Sequence, residues 1–323
     1  SYYSLIMISY LADVYWKLIK PERNMLKCAL FMSYFPILFS GPFIKYEKTR
    51  DSLYGGNKFN YHNLCYGFVK ILWGCFKILI ISQRLALFVG NVYQNINGDI
   101  GVGVYSILAI LFFPIQLYAN FSGTIDIITG VSKIIGIDLP KNFNAPFFAT
   151  SITDFWRRWH ITLGEWLKNY IFYPLLKSNA IQKLQTKINI KKFSVYISML
   201  IMWTLIGIWH GGKMTFIIGS GVLQFVFMFF EDLLKPITDK IFPKIGIDKR
   251  KFSYKLFCII RTYVLFAMAM VFFRSDSINQ AIEMFRSIFV YNPWVLLDNN
   301  SISFLFSPLT RAQSLKTCLA AKV

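Results

Sequence analysis

Five stretches of this sequence run for about twenty residues with little or no charge: 25–44, 102–121, Phe193–Trp209, 214–230 and 252–273. A helix of about twenty residues matches the roughly 30 Å hydrocarbon thickness of a bilayer. A chain with this many such runs cannot hide them all in one water-facing fold. Composition points the same way. Of the 323 residues 55% are hydrophobic, 18% aromatic and only 16% charged, where soluble domains carry nearer a quarter. We therefore expect an all-α, polytopic integral membrane helical bundle. Two irregularities predict re-entrant and interfacial pieces in it. The segment 35–42 places Pro36, Gly41 and Pro42 inside an apolar run, and broken backbone at membrane depth survives only where protein or a cavity satisfies it. The apolar stretch 64–89 carries Lys70, Lys77 and Arg84 at helical spacing, charges that must snorkel or face protein or a water-filled cavity.

The net charge of +19 raises the question of nucleic acid, but the basic residues sit in short clusters between apolar runs, the topogenic pattern of cytoplasmic loops. Membrane lipid, not nucleic acid, is the expected partner, in a multi-pass plasma-membrane protein. The clusters at 187–192 and 235–255 flank the hairpin formed by Phe193–Trp209 and 214–230, and the positive-inside rule puts both in the cytoplasm. The five cysteines show no CxxC and no metal-ligand spacing, so neither a metal site nor a disulfide framework is expected. With no internal repeat or linker, residues 1–306 read as one membrane domain and 307–323 as a polar tail of unclear origin. The chain opens inside an apolar segment, and the expectation is a piece truncated at both ends.

The segment 142–176 is the most informative. Ser151 followed by Asp154 predicts a helix start of the capping-box kind. Carried to Tyr170, the helical wheel puts Phe155, Trp156, Trp159, Leu163, Trp166, Leu167 and Tyr170 on one side and Arg157, Arg158, Glu165 and Lys168 on the other. That pattern suits an interfacial helix, and equally a surface helix packed on the bundle. Only three histidines occur: His62, His160 and His210. His62 lies in a polar stretch and reads as a solvated loop residue. His160 falls on the border of the two helix faces. His210 sits between two apolar runs beside Gly211 and Gly212, which makes it a functional candidate, or else a histidine at a hairpin turn among the headgroups. No GxSxG elbow, Walker loop, HExxH or dinucleotide fingerprint competes.

Phe121-Ser122-Gly123, then Pro140 to Pro146 (Pro-Lys-Asn-Phe-Asn-Ala-Pro), then Asp154 to His160 (Asp-Phe-Trp-Arg-Arg-Trp-His), and Gly207 to Gly211 (Gly-Ile-Trp-His-Gly) closely resemble the membrane-bound O-acyltransferase (MBOAT) family. Within it they resemble the bacterial branch of alginate and peptidoglycan O-acetyltransferases and the teichoic-acid D-alanyl transferase. The resemblance runs to about Val290, and the two histidine motifs in this order are its specific part. It departs at Tyr118-Ala119-Asn120, where the family usually carries an acid before Phe121.

The resemblance implies that His210 is the catalytic histidine and His160 a second active-site histidine. Arg157, Arg158, Trp159, Trp209 and Asn120 are expected to bind substrate, and no metal or bound cofactor is expected. It implies acyl transfer, acetyl in the first instance, from a thioester donor (acetyl-CoA or an acyl carrier protein) toward hydroxyls of an exported or cell-wall polysaccharide. A cytoplasmic donor protein and an extracytoplasmic acyltransferase partner protein are implied with it. D-alanyl transfer to teichoic acid is the alternative within the class. A transporter using Lys70, Lys77 and Arg84 is the alternative outside it.

Overall fold

The computed structural model describes residues 2–38, 40–96 and 103–290, and among them every regular element is helical. We number the helices α1 (Tyr2–Tyr15), α2 (Met25–Met32), α3 (Tyr46–Tyr54), α4 (Tyr61–Gln94), α5 (Gly103–Ile134), α6 (Ile152–Arg158), α7 (Ile161–Leu167), α8 (Asn179–Ile188), α9 (Phe193–Trp209), α10 (Met214–Ile245), α11 (Phe252–Arg274) and α12 (Ile278–Val290). Four of them, α4, α5, α10 and α11, are long and apolar enough to cross a membrane. The chain is an integral membrane protein. The polar tail 307–323 lies outside the described residues.

The apolar run at 25–44 does not form a span. Asn24 caps α2, its side chain accepting from the Leu26 and Lys27 amides, and the helix ends at Met32. A 3₁₀ turn, Phe35–Ile37, follows. Pro36 and Pro42 explain the break, since proline supplies no amide and clashes with the preceding turn.

Helices α4 and α5 pack unusually close. Gly67 lies against Gly130 and Gly74 against Gly123, so that a Cβ added to Gly67 or Gly74 would sit 2.5 Å from the opposing glycine carbonyl. Both pairs recur after seven residues, two helical turns, so they share one face of each helix. On that seam Asp126 accepts from Lys70 at 2.9 Å and Lys77 at 2.5 Å. Two of the three charges inside the apolar run therefore face protein, while Arg84 is exposed. π-helical turns interrupt the chain at Lys77–Ser82, Lys168–Phe172 and Ile217–Val222.

Two apolar clusters form the interior. One joins α4, α5, α11 and α12 around Phe88, Phe113, Phe155, Trp159 and Phe266. The other joins α1, α2, α7 and α9 around Tyr10, Phe31, Tyr46, Trp166 and Trp203. Trp156 packs on both.

Candidate active site

The stretch expected to be one helix from Ser151 to Tyr170 is two short helices broken at His160. The start forms as the sequence predicts, with Ser151 Oγ accepting from the Asp154 amide at 3.0 Å. Glu231 of α10 reaches over to accept from the Ile152 and Thr153 amides, both at 3.2 Å. A carboxylate at a helix N-terminus satisfies orphan donors and meets the helix dipole favourably. The break comes from competing backbone partners. The Asn144 amide donates to the Arg158 carbonyl and the Ile161 amide to the Asn142 carbonyl, so segment 142–144 takes the place of the next helical turn. His160 adopts φ 46° and ψ 52°, the left-handed region that non-glycine residues enter rarely. Trp159 and Trp166 are buried and Trp156 packs on both apolar clusters, which favours, of the two alternatives, the helix packed on the bundle.

His160 is 4% exposed. Phe43 stacks on its ring at 6.0 Å and Phe121 meets it edge-on at 4.8 Å. Its Nδ1 lies 3.2 Å from Asn142 Oδ1, and its Nε2 has no partner. Burial, with the charge of His210 as a lesser cause, pushes its pKa down to about 3, so the ring is neutral. His210 caps the C-terminus of α9, its amide donating to the Ile206 carbonyl. Gly211 (φ 138°) and Gly212 (φ 70°) then turn the chain back into α10. Gly207 lets the two arms close, since a Cβ there would sit 2.5 Å from Ile217 Cα.

Both histidines line one cavity of about 320 Å³ at the seam between the two apolar clusters. Its walls include Leu117, Phe121, Trp156, Trp159, Trp203 and Phe273. Thr153, Arg157 and Lys168 also line it. Lys192, at the start of α9, pairs with Asp232 of α10 at 2.7 Å, so the basic segments 187–192 and 235–255 share one end of this hairpin. Thr153, held by Glu231, lies at that end. His210 lies at the other end of α9, about 25 Å away along a 17-residue helix.

Residues 20–271 match the model of the membrane-bound O-acyltransferase family. The chain belongs to that family. It is 29% identical over 303 residues to a protein of Pseudomonas syringae pv. tomato named a probable alginate O-acetylase, covering 94% of this chain and 54% of that protein. It is 29% identical over 270 residues to a peptidoglycan O-acetyltransferase of Helicobacter pylori, covering 82% of this chain and 47% of that protein. It is 30% identical over 224 residues to a teichoic acid D-alanyltransferase of Bacillus subtilis, covering 66% of this chain and 54% of that protein. The chain spans about half the length of these curated relatives.

In this MBOAT chain the cavity brings together four of the seven residues singled out from sequence: His160, His210, Arg157 and Trp159. The other three stand outside it. Arg158 pairs with Asp154 at 2.9 Å on its own helix. Trp209 flanks His210 at 4.9 Å between ring centroids and packs edge-on against buried Tyr2, its Nε1 also buried without a partner. Asn120 serves α5 through its carbonyl, which accepts from Thr124. Sequence reasoning passed over Asn142, Thr162, Trp203 and Gln224. Gln224 is fully buried and accepts from Trp156 Nε1 at 3.1 Å. Trp203 is 3% exposed, and its Nε1 is a buried donor with no partner. Gln224, the one amide side chain in the apolar run 214–230, was the signal available in the sequence; the rest depend on long-range packing.

Proposed function

We propose that the whole protein is a membrane O-acyltransferase that moves an acyl group, acetyl in the first instance, from a thioester to hydroxyls of an exported or cell-wall polysaccharide. One observation carries the reading: two histidines fifty positions apart in sequence line a single cavity with apolar walls. In that cavity His210 takes the proton of the acceptor hydroxyl as its oxygen attacks the thioester carbonyl. The tetrahedral intermediate then collapses, the C–S bond breaks, and the imidazolium returns the proton to the leaving thiolate. A positioned base supplies about 10²–10⁴-fold, and the remainder comes from holding the reactants together and from donors aimed at the oxyanion. Trp203 Nε1–H, buried without a partner, is the donor we assign to that second task.

The thioester donor enters from the basic end, past Arg157 and Lys168. These cations suit either the phosphates of coenzyme A or an acidic carrier protein. The acceptor polysaccharide lies on the other side, and an extracytoplasmic acyltransferase partner completes its modification. The 30% identity to a teichoic acid D-alanyltransferase favours D-alanyl transfer as a second reading that uses the same steps.

Reconstituted full-length protein, offered labelled acetyl-CoA or labelled D-alanyl carrier protein in separate assays, decides between them. His210→Ala should lower transfer by about 10²-fold or more with unchanged melting behaviour. Near-normal turnover in the folded variant would remove His210 from the mechanism. Transfer from neither donor would end the acyltransferase reading.

A further inference from the structure

The hydrogen bonds behind His160 run in a direction that can be read without seeing a single hydrogen atom. The Phe43 amide donates to Thr162 Oγ1 at 3.0 Å, and a backbone amide can only donate. The Thr162 hydroxyl therefore accepts there and sends its one proton onward to Asn142 Oδ1, at 2.9 Å. The Thr162 amide, again only a donor, points at the same oxygen from 3.2 Å. Turning the Asn142 side chain over would place its NH₂ group against that amide, donor against donor. The opposite orientation gains nothing, because Asn142 Nδ2 has no partner to favour it. The atom facing His160 Nδ1 at 3.2 Å is thus an oxygen, and the imidazole nitrogen must carry the proton. The three donors share two lone pairs, which accords with the two longer distances.

We propose that Asn142, held by Thr162, is a positioning residue that locks His160, a residue of the cavity wall, in the Nδ1–H tautomer and leaves its Nε2 as an unpartnered lone pair. Four observations meet on this point. Asn142 is 2% exposed and His160 4%, so water cannot scramble the bonds. The Nε2 atom has no partner within the protein, which is costly for a buried polar atom unless a ligand uses it. The left-handed backbone at His160 is held by the same segment, through the Ile161 amide on the Asn142 carbonyl. One residue therefore fixes the backbone turn through its main chain and the ring proton through its side chain. Phe43, whose amide starts the chain of bonds, also stacks on the imidazole and fixes its plane. The occupant this geometry calls for carries a hydroxyl, thiol or amide proton for Nε2 to accept. In that respect the inference rests on the acyl-transfer reading; the tautomer itself does not.

The test has a structural arm and a kinetic arm on the full-length protein. In ¹⁵N-histidine-labelled protein the His160 signals are assigned by their loss in His160→Gln. The expected spectrum is protonated Nδ1 and unprotonated Nε2; a protonated Nε2 in the wild type overturns the proposal whatever the activity. In the kinetic arm Asn142→Ala should lower kcat by about 10- to 100-fold, the size of loss seen when a metal-bound histidine loses its orienting partner, with the donor KM within about threefold of wild type. Asn142→Asp keeps an acceptor for all three donors and should recover most of kcat. A merely structural asparagine would give equal losses in both variants, or a loss in KM with the tautomer unchanged, and either result refutes the assignment. Should Asn142→Ala fail to fold, the wild-type spectrum and Asn142→Asp still decide. If wild-type protein shows the Nδ1–H form but transfers no acyl group, the positioning role stands and the acyltransferase reading is what fails.

Discussion

Arg157 and Arg158 are neighbours in sequence with different surroundings. Arg158 spends its charge on Asp154, whereas Arg157 is exposed and lines the cavity. Changing Arg157 to Gln should raise the apparent donor KM by about 10- to 100-fold, the loss of one charge-assisted hydrogen bond of roughly 1.5–3 kcal/mol. Arg158→Gln should leave KM near wild type; equal effects from the two would rule out a donor contact at Arg157. His160 makes a separate prediction about pH. Its folded pKa lies far below the unfolded value of about 6.5, so between pH 6.5 and about 3 the unfolded chain binds the extra proton. Stability should be flat above pH 6.5 and fall as pH is lowered through that window. Melting curves in detergent at pH 7 and 5 should show a smaller drop for His160→Gln than for wild type. At this scale the two histidines were legible because three occur in 323 residues and two of them sit in apolar context. Asn142, Thr162 and Trp203 were not, because asparagine and threonine are common and an unpartnered indole N–H exists only once the helices are packed.

Elements carry a different lesson. The spans at α5, α10 and α11 follow from the length of their apolar runs, and so does the α9–α10 hairpin with its glycine turn. The wheel drawn from Ser151 to Tyr170 gave the right helix start and the wrong continuation. A wheel assumes that each carbonyl finds its amide four residues on, and here the Arg158 carbonyl takes the Asn144 amide instead. No local signal announces such a substitution, since histidine is no helix breaker. The α4–α5 seam was half legible: Lys70 and Lys77 had to face something, but the Asp126 partner and the glycine pairs required knowing which helices touch. Gly74→Ala should destabilise by about 1–3 kcal/mol, as overpacking does, because its Cβ would meet the Gly123 carbonyl at 2.5 Å. Gly164→Ala has only one neighbour, at 3.8 Å, and should melt near wild type. Equal melting temperatures for both variants would mean the close approach of α4 to α5 is not maintained in the membrane.

For the whole molecule, the segments 187–192 and 235–255 lie at one end of the α9–α10 hairpin, tied by Lys192 to Asp232. Single cysteines at Lys187 and Lys249 should therefore react alike with an impermeant thiol reagent, and the positive-inside rule makes that side cytoplasmic. Both should be protected in intact cells and labelled once the cells are opened; labelling of one without the other would break the hairpin geometry. The cavity between the two apolar clusters has a mechanical consequence. Interiors resist motion because they are filled, and this one is hollow along the boundary where its halves meet, with Trp156 the side chain packed on both. A guest there acts as a mortar joint. Whatever fills the hollow stabilises the folded bundle, by about 2.7 kcal/mol at a hundredfold excess over its Kd. When the guest leaves, that contribution leaves with it.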